Sequence, residues 1–244
     1  ATDVSYLQNG NDLQLIIQNN QEQTIVIKKF FENDTYKIEQ LQFNDGTIIN
    51  LTPENIILTQ SDKDDIVSGT AYNDTIYGNA GNDVISAGDG NDTIIGGLGN
   101  DTLNGGTGND TYVYNLGDGL DVITESGGND KIVFGEGINP DDLKFYQENN
   151  ALMIYINNNP KQGIVITNFF TTTGNMVETL EFSDGTTRSL NSLGFEFEAL
   201  NHEMSISGTA FDDKIHGSDY DDVINGGAGD DELTGNQGND TLNG

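Results

Sequence analysis

The sequence predicts an all-β chain in which parallel coils of short strands alternate with small antiparallel β modules. Three observations predict it. A nine-residue period runs through two stretches of the chain, and a 139-residue period relates its first part to its second. Gly, Asn and Asp fill most places of the short repeat, a composition that opposes helix and favours turns.

The nine-residue period starts at Gly69 and steps through Gly78, Ala87, Gly96 and Gly105. The sixth place of each unit is Asp74, Asp83, Asp92, Asp101 and Asp110. The fifth is Asn73, Asn82, Asn91, Asn100 and Asn109, and the fourth is Tyr72, then Gly81, Gly90, Gly99 and Gly108. The eighth is apolar throughout: Ile76, Ile85, Ile94, Leu103 and Tyr112. A weaker unit precedes these, with Asp65 and Val67 in register. Two extra residues after Tyr112 break the count, which resumes with Asp121-Val122-Ile123 and Asp130-Lys131-Ile132.

The turn-forming places supply backbone with positive φ, and the last three places of each unit read polar, apolar, polar. That pattern is a short strand burying one side chain. Two strands and two turns make one revolution of 18 residues, so the eighth places form two parallel sheets that face each other. The core is thin. At roughly 1.5–3 kcal/mol per buried aliphatic side chain, it cannot alone offset an ordering cost of about 1–2 kcal/mol per residue. The same revolution sorts the aspartates into two columns, Asp65, Asp83, Asp101 and Asp74, Asp92, Asp110. Carboxylates stacked about 4.8 Å apart repel. A hard divalent cation between turns relieves that repulsion, and a ligand set of carboxylates and backbone carbonyls suits Ca²⁺ better than Mg²⁺ or Zn²⁺.

The longer period divides the chain. Asp45-Gly46-Thr47 returns as Asp184-Gly185-Thr186, Phe30-Phe31 as Phe169-Phe170, and Asp74, Asp83, Asp92 and Asp101 as Asp213, Asp222, Asp231 and Asp240. The expected organisation is a β-rich spacer module at 1–59, a first coil block at 60–133, a second spacer at 134–198 and a second, incomplete block at 199–244. A chain that stops in mid-repeat reads as a piece of a longer array. In the spacers, Leu13–Ile17 and Thr24–Ile27 read as strands around a polar turn, and Leu41–Ile49 as a hairpin with Asp45-Gly46 at a type I′ turn. Phe30, Phe31, Phe169 and Phe170 read as core anchors, and the modules as caps on the coils.

Composition excludes several functions. Nine basic against 40 acidic side chains, 27 of them Asp, give a net charge of −31, which disfavours nucleic acid. No apolar run reaches the roughly 18 residues a bilayer crossing needs, and no basic-plus-apolar leader opens the chain. The absence of Cys removes disulfides, thiolate metal sites and Cys nucleophiles. His202-Glu203 begins an H-E-x-x-H pattern, but Ile206 stands at its last place, so no zinc site follows. No G-x-S-x-G, P-loop or EF-hand pattern is present. The expectation is a protein that is not an enzyme.

The units Gly96-Gly97-Leu98-Gly99-Asn100-Asp101-Thr102-Leu103-Asn104, Gly105-Gly106-Thr107-Gly108-Asn109-Asp110 and Gly226-Gly227-Ala228-Gly229-Asp230-Asp231-Glu232-Leu233 resemble the G-G-x-G-x-D-x-U-x nonapeptide of RTX, or haemolysin-type calcium-binding, exoproteins. The Asp-Gly-Thr segments resemble the haemolysin-type calcium-binding-related module that alternates with RTX blocks. The resemblance implies Ca²⁺-bound parallel β-rolls and several ions. By position, it assigns metal carboxylates to Asp65, Asp74, Asp83, Asp92, Asp101, Asp110, Asp121, Asp130, Asp213, Asp222, Asp231 and Asp240. It assigns carbonyl donors to Gly81, Gly90, Gly99, Gly108 and Gly229. At the array ends the pattern departs: Tyr72, Phe211 and Tyr220 replace the fourth glycine, and Met204 stands where the first block has Asp65. The resemblance also implies export from a Gram-negative bacterium by type I secretion machinery, and folding in Ca²⁺-rich surroundings outside the cell. The expected role is a structural segment of a toxin-like exoprotein. The alternatives are an adhesin module whose spacers contact a host or surface ligand, and the C-terminal region of an RTX enzyme.

Overall fold

The computed structural model describes residues 4–9, 12–17, 20–27, 40–42, 48–50, 57–171, 176–191 and 194–244. Among the described residues the chain is all β, with one short 3₁₀ turn at Pro140–Asp142. The first block is a parallel coil of the expected kind. Strands Ile57–Thr59, Thr75–Ala80, Thr93–Leu98, Thr111–Tyr114 and Asp130–Phe134 lie side by side in one sheet. Strands Ile66–Ser68, Val84–Asp89, Thr102–Thr107 and Leu120–Thr124 form the facing sheet.

The register stacks the eighth places on one another. Leu58, Ile76, Ile94, Tyr112 and Ile132 are successive partners in the first sheet, and Val67, Ile85, Leu103 and Ile123 in the second. All nine are buried. Alternation does the sorting: flanking strand residues such as Ile66 and Val84 point outward, because a strand has a period of two. The two residues inserted after Tyr112 lengthen one revolution without breaking either sheet.

The second spacer is spliced into this coil. Leu143–Glu148, Ala151–Ile156 and Asn159–Ile166 form an antiparallel meander. Its last strand pairs in parallel with Leu120–Thr124, placing Ile166 on Ile123. Its first strand pairs with Glu196–Phe197, which leads to Lys214–His216 and Glu232–Thr234 of the second block. Strand Val177–Glu181 continues the other sheet, with Leu180 on Ile132. Hydrogen-bonded sheets therefore run across residue 134, and the module covers the end of the first coil. Phe169, Phe195 and Phe197 are buried under it, with Phe195 and Phe197 stacked at 5.1 Å and Phe169 edge-on to Phe195 at 6.1 Å.

The 139-residue repeat is preserved as structure. Val4–Asn9, Asp12–Ile17 and Asn20–Ile27 form the same antiparallel meander as their counterparts in the second copy. Gln40–Gln42 pairs with Ile48–Asn50 as Val177–Glu181 pairs with Thr187–Ser189. The turn at Asp45-Gly46 and the pair Phe30-Phe31 lie outside the described residues. At the equivalent Asp184-Gly185 the geometry differs from type I′. The Gly185 amide bonds the Phe182 carbonyl at 2.8 Å, and only Gly185 has positive φ (+85°). Asp184 instead turns its side chain onto the Thr186 amide at 2.8 Å and hydroxyl at 2.6 Å. That local bond fixes Asp184 in a longer loop, so Asp-Gly does not make a two-residue turn there.

Candidate metal centre

From Asp83 onward, each sixth-place aspartate of the first coil is held by the turn before it. Oδ1 accepts the main-chain amide of the residue one revolution earlier: Asp65 to Asp83 at 2.8 Å, Asp74 to Asp92 at 2.7 Å, Asp83 to Asp101 at 2.8 Å and Asp92 to Asp110 at 2.8 Å. Across the two-residue insertion the bonds persist, Asp101 to Asp121 at 3.0 Å and Asp110 to Asp130 at 2.8 Å. The fifth place runs the opposite way. The Asn82 side-chain oxygen accepts the Asn100 amide at 2.9 Å, and Asn91 accepts that of Asn109 at 2.7 Å. Two side-chain ladders thus satisfy turn amides that no strand partner reaches.

The second carboxylate oxygen divides the aspartates into two groups, according to whether a hydroxyl at the second place of the unit reaches it. In four units with Ser or Thr at that place, the hydroxyl and amide close onto Oδ2. Ser61 does so on Asp65 (2.9 Å from the amide, 2.6 Å from the hydroxyl), as does Thr70 on Asp74 (2.6 and 2.9 Å). In the second block Thr209 caps Asp213 (2.6 and 2.9 Å) and Ser218 caps Asp222 (2.5 and 2.9 Å). In the middle of the first coil that place is Asn79, Gly88, Gly97 or Gly106. There Oδ2 of Asp83, Asp92, Asp101 and Asp110 is buried without a protein partner. Oδ2 of Asp130 is orphaned too, although Ser126 stands at its second place, because the Ser126 amide turns to Oε2 of Glu125 instead.

A buried, unsatisfied carboxylate oxygen is costly. Burial pushes Asp92 up to about 7, and Asp101 and Asp130 up to about 6. Asp83 and Asp110 are raised for the same reason. Burial takes Asp121 to about 8. The first-place glycines give these oxygens room. A Cβ on Gly96 would lie 2.3 Å from Oδ2 of Asp101, and one on Gly78 would lie 2.5 Å from Oδ2 of Asp83. The fourth-place glycines bring successive turns together. Gly99, at φ +145°, leaves only 1.8 Å between a Cβ and the Gly81 carbonyl oxygen, and Gly108 leaves 1.8 Å to that of Gly90. Orphaned hard oxygens, room beside them and closely approaching carbonyls are a donor set that fits Ca²⁺.

The structure places the site residues assigned from sequence unevenly. Asp83, Asp92, Asp101, Asp110 and Asp130 offer a buried free oxygen, with Gly81, Gly90, Gly99 and Gly108 on the same stacked turns. Asp121 continues the other column. Asp65, Asp74, Asp213 and Asp222 spend Oδ2 on local hydroxyls. Asp231 and Asp240 accept the amides of Asp213 and Asp222 at 3.0 Å each, and both are only half-buried at the outer turns, where Gly229 also lies.

Two acids do not stand out in the sequence. Glu178 closes a column by accepting the Asp130 amide at 2.6 Å. Glu125 is buried, accepts a hydrogen bond from the Tyr112 hydroxyl and is pushed by burial to about 8. Register is the available signal for Glu125, which stands five residues before Asp130, at the first place of its unit.

Comparison with known proteins agrees with this geometry. Residues 60–94, 78–112, 86–121 and 207–242 match the RTX calcium-binding nonapeptide repeat. Residues 12–52 and 152–189 match the haemolysin-type calcium binding protein related domain. Together these matches span most of the chain, which carries both the calcium-binding repeats and the related domain of RTX proteins. It is a Ca²⁺-binding segment of an RTX protein, with ions at several sites. No curated protein sequence matches it. A similar solved structure is the extracellular lipase LipA from Serratia marcescens, at 14% identity and a TM-score of 0.19. That match covers 76% of this chain but spans only 28% of the lipase. No helix among the described residues is long and apolar enough to cross a membrane.

Proposed function

We propose that this chain is a non-enzymatic structural segment of a secreted, toxin-like RTX exoprotein, exported from a Gram-negative bacterium by type I machinery and folded by Ca²⁺ outside the cell. The observation that supports it is the two columns of buried carboxylates in the first coil, in which Oδ2 of Asp83, Asp92, Asp101, Asp110 and Asp130 has no protein partner. A net charge of −31 and a core of one apolar side chain per unit leave the metal-free coil repelled and weakly held. When bound, Ca²⁺ supplies positive charge between successive turns. The chain's own residues do the rest. The aspartate and asparagine ladders align the turns, the first- and fourth-place glycines let them approach, and the stacked eighth places seal the interior. Coupling of ion binding to folding then keeps the chain extended while Ca²⁺ is scarce and stiff where it is plentiful. A stiff coil interrupted by hydrogen-bonded spacer modules is suited to hold neighbouring domains apart.

The test is far-ultraviolet circular dichroism of EDTA-treated protein titrated with CaCl₂, with MgCl₂ as control. A steep coil-to-β transition with Ca²⁺ alone is expected. A protein already folded in EDTA and indifferent to Ca²⁺ would overturn the reading.

A further inference from the structure

The last unit of the first coil departs from the repeat at one place. Its sequence is Glu125-Ser126-Gly127-Gly128-Asn129-Asp130-Lys131-Ile132-Val133, so Glu125 occupies the first place, which glycine or alanine holds in the units from 69 to 113. In those units the first-place Cα faces the sixth-place carboxylate so closely that glycine is nearly obligatory. Here a long acidic side chain enters that space. It folds back over the previous turn, where Gly105 marks the meeting point. A Cβ on Gly105 would lie 2.3 Å from Oδ2 of Asp110, 2.6 Å from the Tyr112 hydroxyl and 2.7 Å from Oε1 of Glu125.

We propose that Glu125 joins the sixth-place carboxylates of Asp110 and Asp130 in a three-carboxylate cation site at the end of the first coil, one carboxylate richer than the sites the nonapeptide alone builds. Each of the three offers an oxygen within 4.8 Å of the others, and all are buried. A cluster of acids alone would not make a site. The second observation is that Oδ2 of Asp110 and Oδ2 of Asp130 are buried without any protein partner, on residues only 1% exposed. No basic side chain contributes an ion pair to any of the three among the described residues. Charge compensation has to come from outside the protein.

The surroundings hold the third carboxylate in position. Tyr112 replaces the aliphatic residue of the eighth place, and its hydroxyl accepts the Gly105 amide at 2.6 Å and donates to Glu125. Glu125 is thereby fixed through Oε1, while the Ser126 amide bonds Oε2 at 3.2 Å. The Asp110 amide bonds Oδ1 of Asp130 at 2.8 Å, which ties the two turns together. Three carboxylates around one position favour a hard cation of high charge density. Ligand charge is what raises affinity in all-oxygen sites, so this position is the tightest on the chain and the first to load.

The inference rests on the Ca²⁺-binding reading above, and its test separates the two. Ca²⁺ uptake by the whole chain is counted by isothermal titration calorimetry, with circular dichroism at saturating CaCl₂ to confirm folding. Glu125→Gln keeps the size of the side chain and its acceptance from Tyr112 but removes the charge. Loss of the tightest ion, or weakening of that class by about ten-fold or more, supports the site. An unchanged count and affinity, in a chain that otherwise binds several ions, overturns the site and leaves the Ca²⁺-binding reading standing. An unaltered chain that takes up no ion overturns both. If Glu125→Gln does not fold in CaCl₂, Glu125→Asp decides. It keeps the charge but draws it back, so a weakened tightest class supports the site and unchanged binding overturns it.

Discussion

Oδ1 of Asp101 accepts the main-chain amide of Asp83 at 2.8 Å, while Oδ2 of the same carboxylate is buried with no partner. One oxygen builds the coil and the other is left for an ion. The first bond operates with or without metal. The second oxygen makes the metal-free coil sensitive to protons.

Burial pushes Asp101 up to about 6, Asp92 to about 7, and Asp121 and Glu125 to about 8. These values lie above the roughly 4 of an unfolded chain. Groups raised on folding bind more protons in the folded state, so their contribution is complete below pH ~4 and is lost as pH rises through ~6 to 8. Ca²⁺ reverses the trend, because it takes the deprotonated form. In EDTA, the β signal is expected to be strongest near pH ~4.5 and to fade by pH ~8, where added CaCl₂ restores it. Equal β content at both pH values in EDTA would contradict this.

The two groups of aspartates respond differently to amidation. In Asp101→Asn the amide nitrogen replaces the orphaned oxygen and Oδ1 is kept, so no hydrogen bond is lost. The metal-free coil is expected to gain stability and Ca²⁺ affinity to fall. In Asp213→Asn one face of the amide can no longer accept from the Thr209 amide and hydroxyl, now at 2.6 and 2.9 Å. That variant is expected to lose about 1–3 kcal/mol with or without Ca²⁺, at an unchanged ion count. Denaturant melts and calorimetric titration of both variants distinguish the cases. Matching losses of Ca²⁺ would show that the hydroxyl cap on Oδ2 does not divide the aspartates.

Most of this architecture is legible from spacing. The eighth-place column, the two aspartate columns and the 139-residue repeat all follow from residue periods, because a coil of fixed pitch turns sequence distance into contact. What spacing hides are features set by a single departure from the period. Glu125 looks like an irregularity in the exit segment until Asp130 fixes its register. Glu178 lies 48 residues beyond the amide it accepts, across a whole meander. The capping of Asp65, Asp74, Asp213 and Asp222 depends on a hydroxyl at the second place, a position whose variation looks neutral in sequence. The Asp184 turn departs from type I′ because Asp-Gly fits more than one hairpin loop, and the side-chain bond to Thr186 selects among them.

Core and surface aliphatics on one coil separate packing from propensity. Ile94 is fully buried between Ile76 and Tyr112, whereas Ile66 is 77% exposed. Ile94→Ala is expected to cost about 2–5 kcal/mol in saturating CaCl₂, since the stacked turns cannot collapse into the gap. Ile66→Ala is expected to stay within about 0.5 kcal/mol. Thermal melts at one Ca²⁺ concentration make the comparison, and equal shifts would mean that the eighth-place stack is not the core.

Two glycines with positive φ separate backbone strain from close approach. A Cβ on Gly185, at φ +85°, would meet no atom within 4 Å, whereas one on Gly99, at φ +145°, would meet the Gly81 carbonyl oxygen at 1.8 Å. Gly185→Ala therefore meets only the left-handed backbone penalty, about 1–2 kcal/mol. Gly99→Ala meets that penalty and must also push apart two turns that share an aspartate ladder and an asparagine ladder. Because those turns carry Asp83 and Asp101, separating them disrupts ion binding together with folding. The expected result is a markedly higher CaCl₂ midpoint for Gly99→Ala in the circular dichroism titration, and a midpoint close to that of the unaltered chain for Gly185→Ala. Equal midpoints in the two variants would show that the fourth-place glycine serves only its own turn and not the approach between turns.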